Sequence, residues 1–83
     1  MQYEFIVKHL KEDDRGYAAS LYLEMQGTNE SGDTALSSVS VSFGGNDYKP
    51  KASWTQEQTD QWAEIMRPQL EQNINNQFKL KGN

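Results

Sequence analysis

The sequence contains no cysteine. Disulfide staples, thiolate nucleophiles and cysteine-ligated zinc are excluded together, so the chain has to fold on packing alone. Long apolar runs are also missing, and nothing approaches the roughly 20 residues of a membrane-spanning helix. No membrane partner is expected. Glu4 and Lys8 interrupt the N-terminus too early for a signal-peptide core, so a cytoplasmic location is expected. Positive charge is scarce, with 8 Lys plus Arg against 12 Asp plus Glu and a net charge of −4. That sign opposes steering onto a phosphate backbone, and no direct nucleic-acid binding is expected.

Apolar residues make up 35% of 83 positions, which is little core material. Splitting the chain would leave neither half enough area to bury, so residues 1–83 are expected to form one domain. The polar remainder is dominated by uncharged side chains, with Asn and Gln totalling 14 and Ser and Thr 11. Its surface should be wet and only mildly charged.

Three stretches alternate with a period of two, the signature of half-buried strands. From Gln2 to Leu10, Tyr3, Phe5, Val7 and His9 share one side, expected to face the core, and Ile6 and Leu10 share the other. Lys11 to Gly16 reads as a hairpin loop. Tyr17, Ala19, Leu21, Leu23 and Met25 mark the inner side of a second strand, with Ala18 and Tyr22 outward. Gly27 to Thr34 has no apolar residue to pin it and reads as a mobile loop. A third strand, Ala35 to Phe43, turns Val39, Val41 and Phe43 inward and Leu36, Ser38, Ser40 and Ser42 outward. Such short connections favour an antiparallel meander with the second strand central.

Thr55-Gln56-Glu57-Gln58 fits a capping box and opens a helix, with Trp54 placed to set the angle at which the chain enters it. Trp62, Ile65 and Met66 lie opposite Glu57, Asp60 and Glu64. Pro68 interrupts the pattern, and the helix is expected to kink or break there so that Leu70 and Ile74 reach the sheet. Asparagines between Gln72 and Gln77 should fray the end near Phe78, leaving Lys79, Lys81 and Gly82 as a solvated tail. The predicted fold is α+β, a βββα meander and helix, with Phe5, Val7, Leu21, Leu23, Val39, Val41, Phe43, Trp62, Ile65, Met66 and Leu70 in its core.

Motifs for chemistry are missing. His9 is the one histidine and has no nucleophile or orienting carboxylate at a recognisable spacing, so it reads as a partly buried histidine at a sheet edge. Glu12, Asp13 and Asp14 lack the ligand pattern of a calcium loop, and Gly44-Gly45 is followed by no lysine at Walker spacing. Ser37, Ser38, Ser40 and Ser42 lack a nucleophile elbow. No catalytic, metal or cofactor site is expected, and the chain is expected not to be an enzyme.

The order strand, strand, strand, helix is similar to the last four elements of the double-stranded-RNA-binding domain. Where that family opens its final helix with lysines, this chain has Thr55-Gln56-Glu57-Gln58-Thr59-Asp60, and the family's first helix is missing, so the comparison fails. Two surfaces remain. One is an acidic helix stripe of Glu57, Asp60, Glu64 and Glu71, suited to a basic protein partner. The other is a semi-apolar outer sheet face with Tyr22, Ile6 and Leu36. An acidic domain of this size resembles, in organisation only, small phage-encoded inhibitors such as anti-CRISPR proteins, which occlude basic surfaces of nucleic-acid machinery. The expected function is therefore a non-catalytic protein-binding module of that inhibitory kind. The alternative is a self-associating assembly subunit, a homodimer through an exposed strand edge and the Tyr22 face.

Overall fold

The structure, a computed structural model, describes residues 1–82. It is the expected βββα arrangement. Three antiparallel strands, β1 (Gln2–Glu12), β2 (Ala18–Thr28) and β3 (Thr34–Ser42), form one sheet with β2 central. After a linker of two short 3-10 turns, helix α1 (Gln56–Gly82) lies across one face. Among the described residues no helix is long and apolar enough to cross a membrane.

Both hairpins close by the same device. Asp13 Oδ1 accepts the amides of Arg15 and Tyr17, and Asn29 Oδ1 accepts those of Ser31 and Asp33. The fourth residue of each loop, Gly16 (φ +79°) and Gly32 (φ +86°), takes the left-handed conformation that side-chain-bearing residues avoid. The loop after β2 is therefore a tight turn and not the mobile segment its composition suggested. One Asx side chain replaces the apolar anchor that the loop lacks.

The first strand departs from strict alternation. Phe5 pairs with Met25, but Val7 pairs with Glu24, so Ile6 is a β-bulge. One extra residue inverts the parity of everything beyond it. Val7 and His9, expected inside, stand opposite Glu24 and Tyr22 on the outer face, while Leu10 turns inward opposite Leu21 and packs against the core. His9 is accordingly exposed. A second irregularity, between Lys11 and Glu12, skips Ala19 and buries Ala18 completely, which removes Ala18 from the outer face.

The helix opens with the expected reciprocal capping box. Gln58 N–H donates to Thr55 Oγ1 at 3.1 Å, and Thr55 N–H donates to Gln58 Oε1 at 3.0 Å. Trp54, just before it, stacks on Phe43 with ring centroids 4.7 Å apart. Pro68 does not break α1, which continues through it to Gly82. No re-aiming is needed, because the buried face is Thr59, Ala63, Leu70 and Ile74 with Met66 beside it. At 100° per residue these positions form one continuous stripe. Ile65 falls outside it and is 64% exposed.

Small side chains at Thr59 and Ala63 let the helix backbone approach the sheet. Gly27 of β2 does the same from below, since a Cβ there would lie 2.5 Å from Ile74 Cγ2. The core beneath comprises Leu21, Leu23, Met25, Ala35, Ala63, Leu70 and Ile74, with Tyr3, Phe5, Leu10, Val39, Phe43, Trp62, Met66 and Phe78 packed around it. Full burial of each large aliphatic side chain is worth about 1.5–3 kcal/mol. Val41, expected in the core, is half-buried and outside this cluster.

The amide-rich stretch expected to fray is instead a polar clamp. Tyr3 Oη donates to Asn75 Oδ1 at 2.6 Å, Asn73 Nδ2 to Ser37 Oγ at 3.3 Å, and Gln77 Nε2 to the Leu36 carbonyl at 2.6 Å. These bonds tie α1 to both outer strands and outweigh the weak helix propensity of asparagine. Of the expected tail, Lys79 is an exposed helical residue, α1 runs on to Gly82, and the side chain of Lys81 lies outside the described residues.

The close approach at Gly27 is testable. Gly27→Ala should lower stability by about 1–3 kcal/mol through overpacking against Ile74. Urea unfolding of Gly27→Ala, Ile74→Ala and the double variant should show a double-variant loss well below the sum, because removing the Ile74 methyls makes room for the new Cβ. Strict additivity would contradict the contact.

Candidate interaction surface

The acidic stripe is largely engaged within the molecule. Asp60 Oδ1 accepts from Lys8 Nζ at 3.0 Å and from Gln56 Nε2 at 3.0 Å. The bulge at Ile6 makes this possible, since it brings Lys8 to the helix-facing side opposite Leu23. Arg67 forks between Glu64, at 3.0 Å, and Glu71, at 3.3 Å, and its guanidinium lies 4.9 Å from the centre of the Phe5 ring. Three of the four stripe carboxylates thus already have a cation of the same chain. Glu57 is the exception among the described residues, exposed in the first turn of α1.

Those contacts set the ionisation. The Lys8 hydrogen bond, then that of Gln56, holds the Asp60 carboxyl below its ordinary range. Arg67 does the same to Glu64, and Glu64 in turn raises Arg67. In the first hairpin, the Tyr48 hydroxyl donates to Asp13 Oδ2, which lowers the Asp13 carboxyl and raises the Tyr48 phenol.

Among the described residues nothing covers the outer face of the sheet, and the register resolves it into rows. Glu4, Gln26 and Leu36 form one row, Val7, Glu24 and Ser38 the next, then His9, Tyr22 and Ser40, then Lys11, Ser20 and Ser42. Tyr22 (36% exposed) and Leu36 (51%) lie in different rows, separated by Glu24 and Ser38, and the Tyr22 hydroxyl donates to Glu24 Oε1 at 2.9 Å. Ile6 (42%) sits at the bulge. With Leu10 and Ala18 turned away, the structure does not join these residues into one apolar patch. The face is polar enough to stand in water.

Sequence reasoning expected an exposed strand edge without saying which strand carries it, and the backbone of the outer strands distinguishes the two. Phe43 N–H donates to the Ala19 carbonyl at 2.9 Å, so the odd-numbered residues of β3 bond to β2. In an antiparallel ladder the alternate residues then aim both N–H and C=O away from the partner. On β3 these are Leu36, Ser38, Ser40 and Ser42. Gln77 caps the Leu36 carbonyl, whereas the backbone groups of Ser38, Ser40 and Ser42 meet no partner among the described residues. The β3 edge also carries no ionisable side chain from Thr34 to Asn46, no proline and no bulge. By contrast, β1 has its bulge and the charges of Glu4, Lys8, Lys11 and Glu12, the usual protections of a sheet edge. The Ser-Val-Ser-Val alternation was the available signal, since a strand with no charge on either face is poorly defended against pairing.

Compared with known proteins, the chain matches no family, no curated protein and no solved structure.

The carboxylate contacts predict the pH response. Asp13, Asp60 and Glu64 are depressed in the folded chain, so they bind fewer protons there than in the unfolded one. Their stabilisation is fully present above the unfolded values near pH 4 and is lost as pH falls through the lower folded values. Urea midpoints should hold between about pH 7 and 5 and decline below about pH 4. Lys8→Met should weaken that acid dependence, and a wild-type midpoint independent of pH would contradict it.

Proposed function

We propose that the chain is a small, non-catalytic protein-binding module that joins a protein partner along the β3 edge. The observation that carries this reading is the row of unpartnered backbone groups on Ser38, Ser40 and Ser42, in a strand without charge, proline or bulge. Strand addition needs such an edge: main-chain hydrogen bonds supply affinity and flanking side chains supply specificity. Tyr22 lies in the same cross-strand row as Ser40, one strand back from the edge, and offers an aromatic side chain on the open face. The compartment this reading assumes is the cytoplasm.

A second reading keeps the acidic helix as the contact, with the chain occluding a basic surface of a nucleic-acid-handling complex in the manner of anti-CRISPR inhibitors. It is favoured by the outward surface of α1 formed by Glu57, Asp60, Gln61, Glu64 and the exposed Ile65, which sets one large apolar side chain among carboxylates. It ranks second because Asp60, Glu64 and Glu71 would have to exchange their own cations for those of the partner.

Hydrogen exchange in extract of the native cells, compared with buffer, separates the two. Edge binding should slow exchange at Ser38, Ser40 and Ser42, and Tyr22→Ala should weaken the complex by about 2 kcal/mol. Glu57→Lys with Glu64→Lys should leave that complex intact. Protection confined to residues 57–65, abolished by the charge reversal, would overturn edge binding in favour of the acidic surface.

A further inference from the structure

We propose that the partner on the β3 edge is a second copy of this chain, the two β3 strands running antiparallel about a two-fold axis through Ser40. The inference rests on the edge-binding function and adds its occupant and its register. Charge argues for the occupant. Each copy carries −4, so a surface without carboxylates lets two copies meet with least repulsion, and β3 offers one from Thr34 to Asn46. The β1 edge would set Glu4, Lys8, Lys11 and Glu12 against another chain.

Self-complementarity is the second argument. A two-fold contact requires a strand that matches itself when reversed. With Ser40 on the axis, Ser40 stands opposite Ser40 of the second copy, Ser38 opposite Ser42, and Val39 opposite Val41. Serines then meet serines on the open face, and the half-buried valines meet valines on the helix side, extending the margin of the core.

The hydrogen-bond ledger selects this register. Ser38, Ser40 and Ser42 are the residues whose N–H and C=O both point outward unpaired, and an axis at Ser40 pairs all of them with one another. An axis at Ser38 would place Leu36 opposite Ser40 and demand the Leu36 carbonyl, which Gln77 already occupies at 2.6 Å. Gln77 therefore acts as a stop that ends the ladder beyond Ser38.

Sedimentation equilibrium of the purified full chain, from about 10 μM to about 1 mM, tests the inference. The expected result is a concentration-dependent rise from the 9.5 kDa monomer towards twice that mass. Ser40→Pro deletes an outward amide that the monomer does not use, an edge position where proline is tolerated, and should weaken association at least tenfold. Ser40→Lys, which sets like charges across the axis, should do the same without altering the backbone and serves if the proline variant unfolds. Ser40→Thr should associate as the wild type does. A wild type that stays monomeric throughout overturns the second-copy inference, and edge binding to another protein then stands or falls on the extract experiment. A dimer indifferent to both Ser40→Pro and Ser40→Lys overturns the edge register itself.

Discussion

One helix can cover only one face of a three-stranded sheet, and the rest of this structure follows from that limit. Covering even one face well demands close approach, which is supplied by Thr59 and Ala63 on the helix and by Gly27 under Ile74. Large side chains then fill the space around the contact, with Leu21, Leu23, Met25, Leu70 and Ile74 fully buried. Among the described residues the opposite face has no second layer to bury it and is accordingly polar, its rows built largely from serine, glutamine and charged residues with Val7, Tyr22 and Leu36 among them. The two edges are treated unequally. The β1 edge is bulged and charged, whereas the β3 edge is plain, and this asymmetry is what the proposed strand addition rests on.

The carboxylates serve the same covering contact. Lys8 reaches Asp60 across the helix–sheet boundary, and Arg67 lies over Phe5 while holding Glu64 and Glu71. Both cations roof the Phe5 ring, with Lys8 Nζ 5.2 Å from its centre. A net charge of −4 thus gives a poor picture of the acidic helix. Most of its stripe is paired within the chain, and Glu57 is the carboxylate left without a cation among the described residues. The linker is fastened similarly at the far end, where Tyr48 packs on Tyr17, bonds Asp13 and closes the first hairpin.

Alternation makes the three strands, their order and the capped helix legible in the sequence, because burial of one sheet face imposes a period of two and the capping box is a local motif. The inversion within β1 was not read, although Phe5-Ile6-Val7 places three apolar residues in succession, a pattern one bulge accommodates. The helix face was misjudged for a related reason. Ile65 outranks Ala63 and Thr59 in hydrophobicity, but close approach to the sheet selects small residues over large ones. Composition alone misread the asparagines and glutamines of 72–77, whose role depends on reaching Tyr3, Ser37 and Leu36, remote in sequence. Of the candidate site residues, Tyr22 and Leu36 are on the open face as expected, but no patch joins them. The free edge is a property of backbone register, which side-chain patterns reveal only indirectly.

Amide exchange resolved by residue along β3 tests the central claim most directly. In dilute solution the account predicts fast exchange at Ser38, Ser40 and Ser42 beside slow exchange at Val39 and Val41, with the serine amides becoming protected as the partner strand is added by raising the protein concentration. Protection of all five amides in the dilute monomer would mean that the edge is already covered. Serine amides that stay unprotected in an associated state would mean that association proceeds elsewhere, and either result would contradict the account.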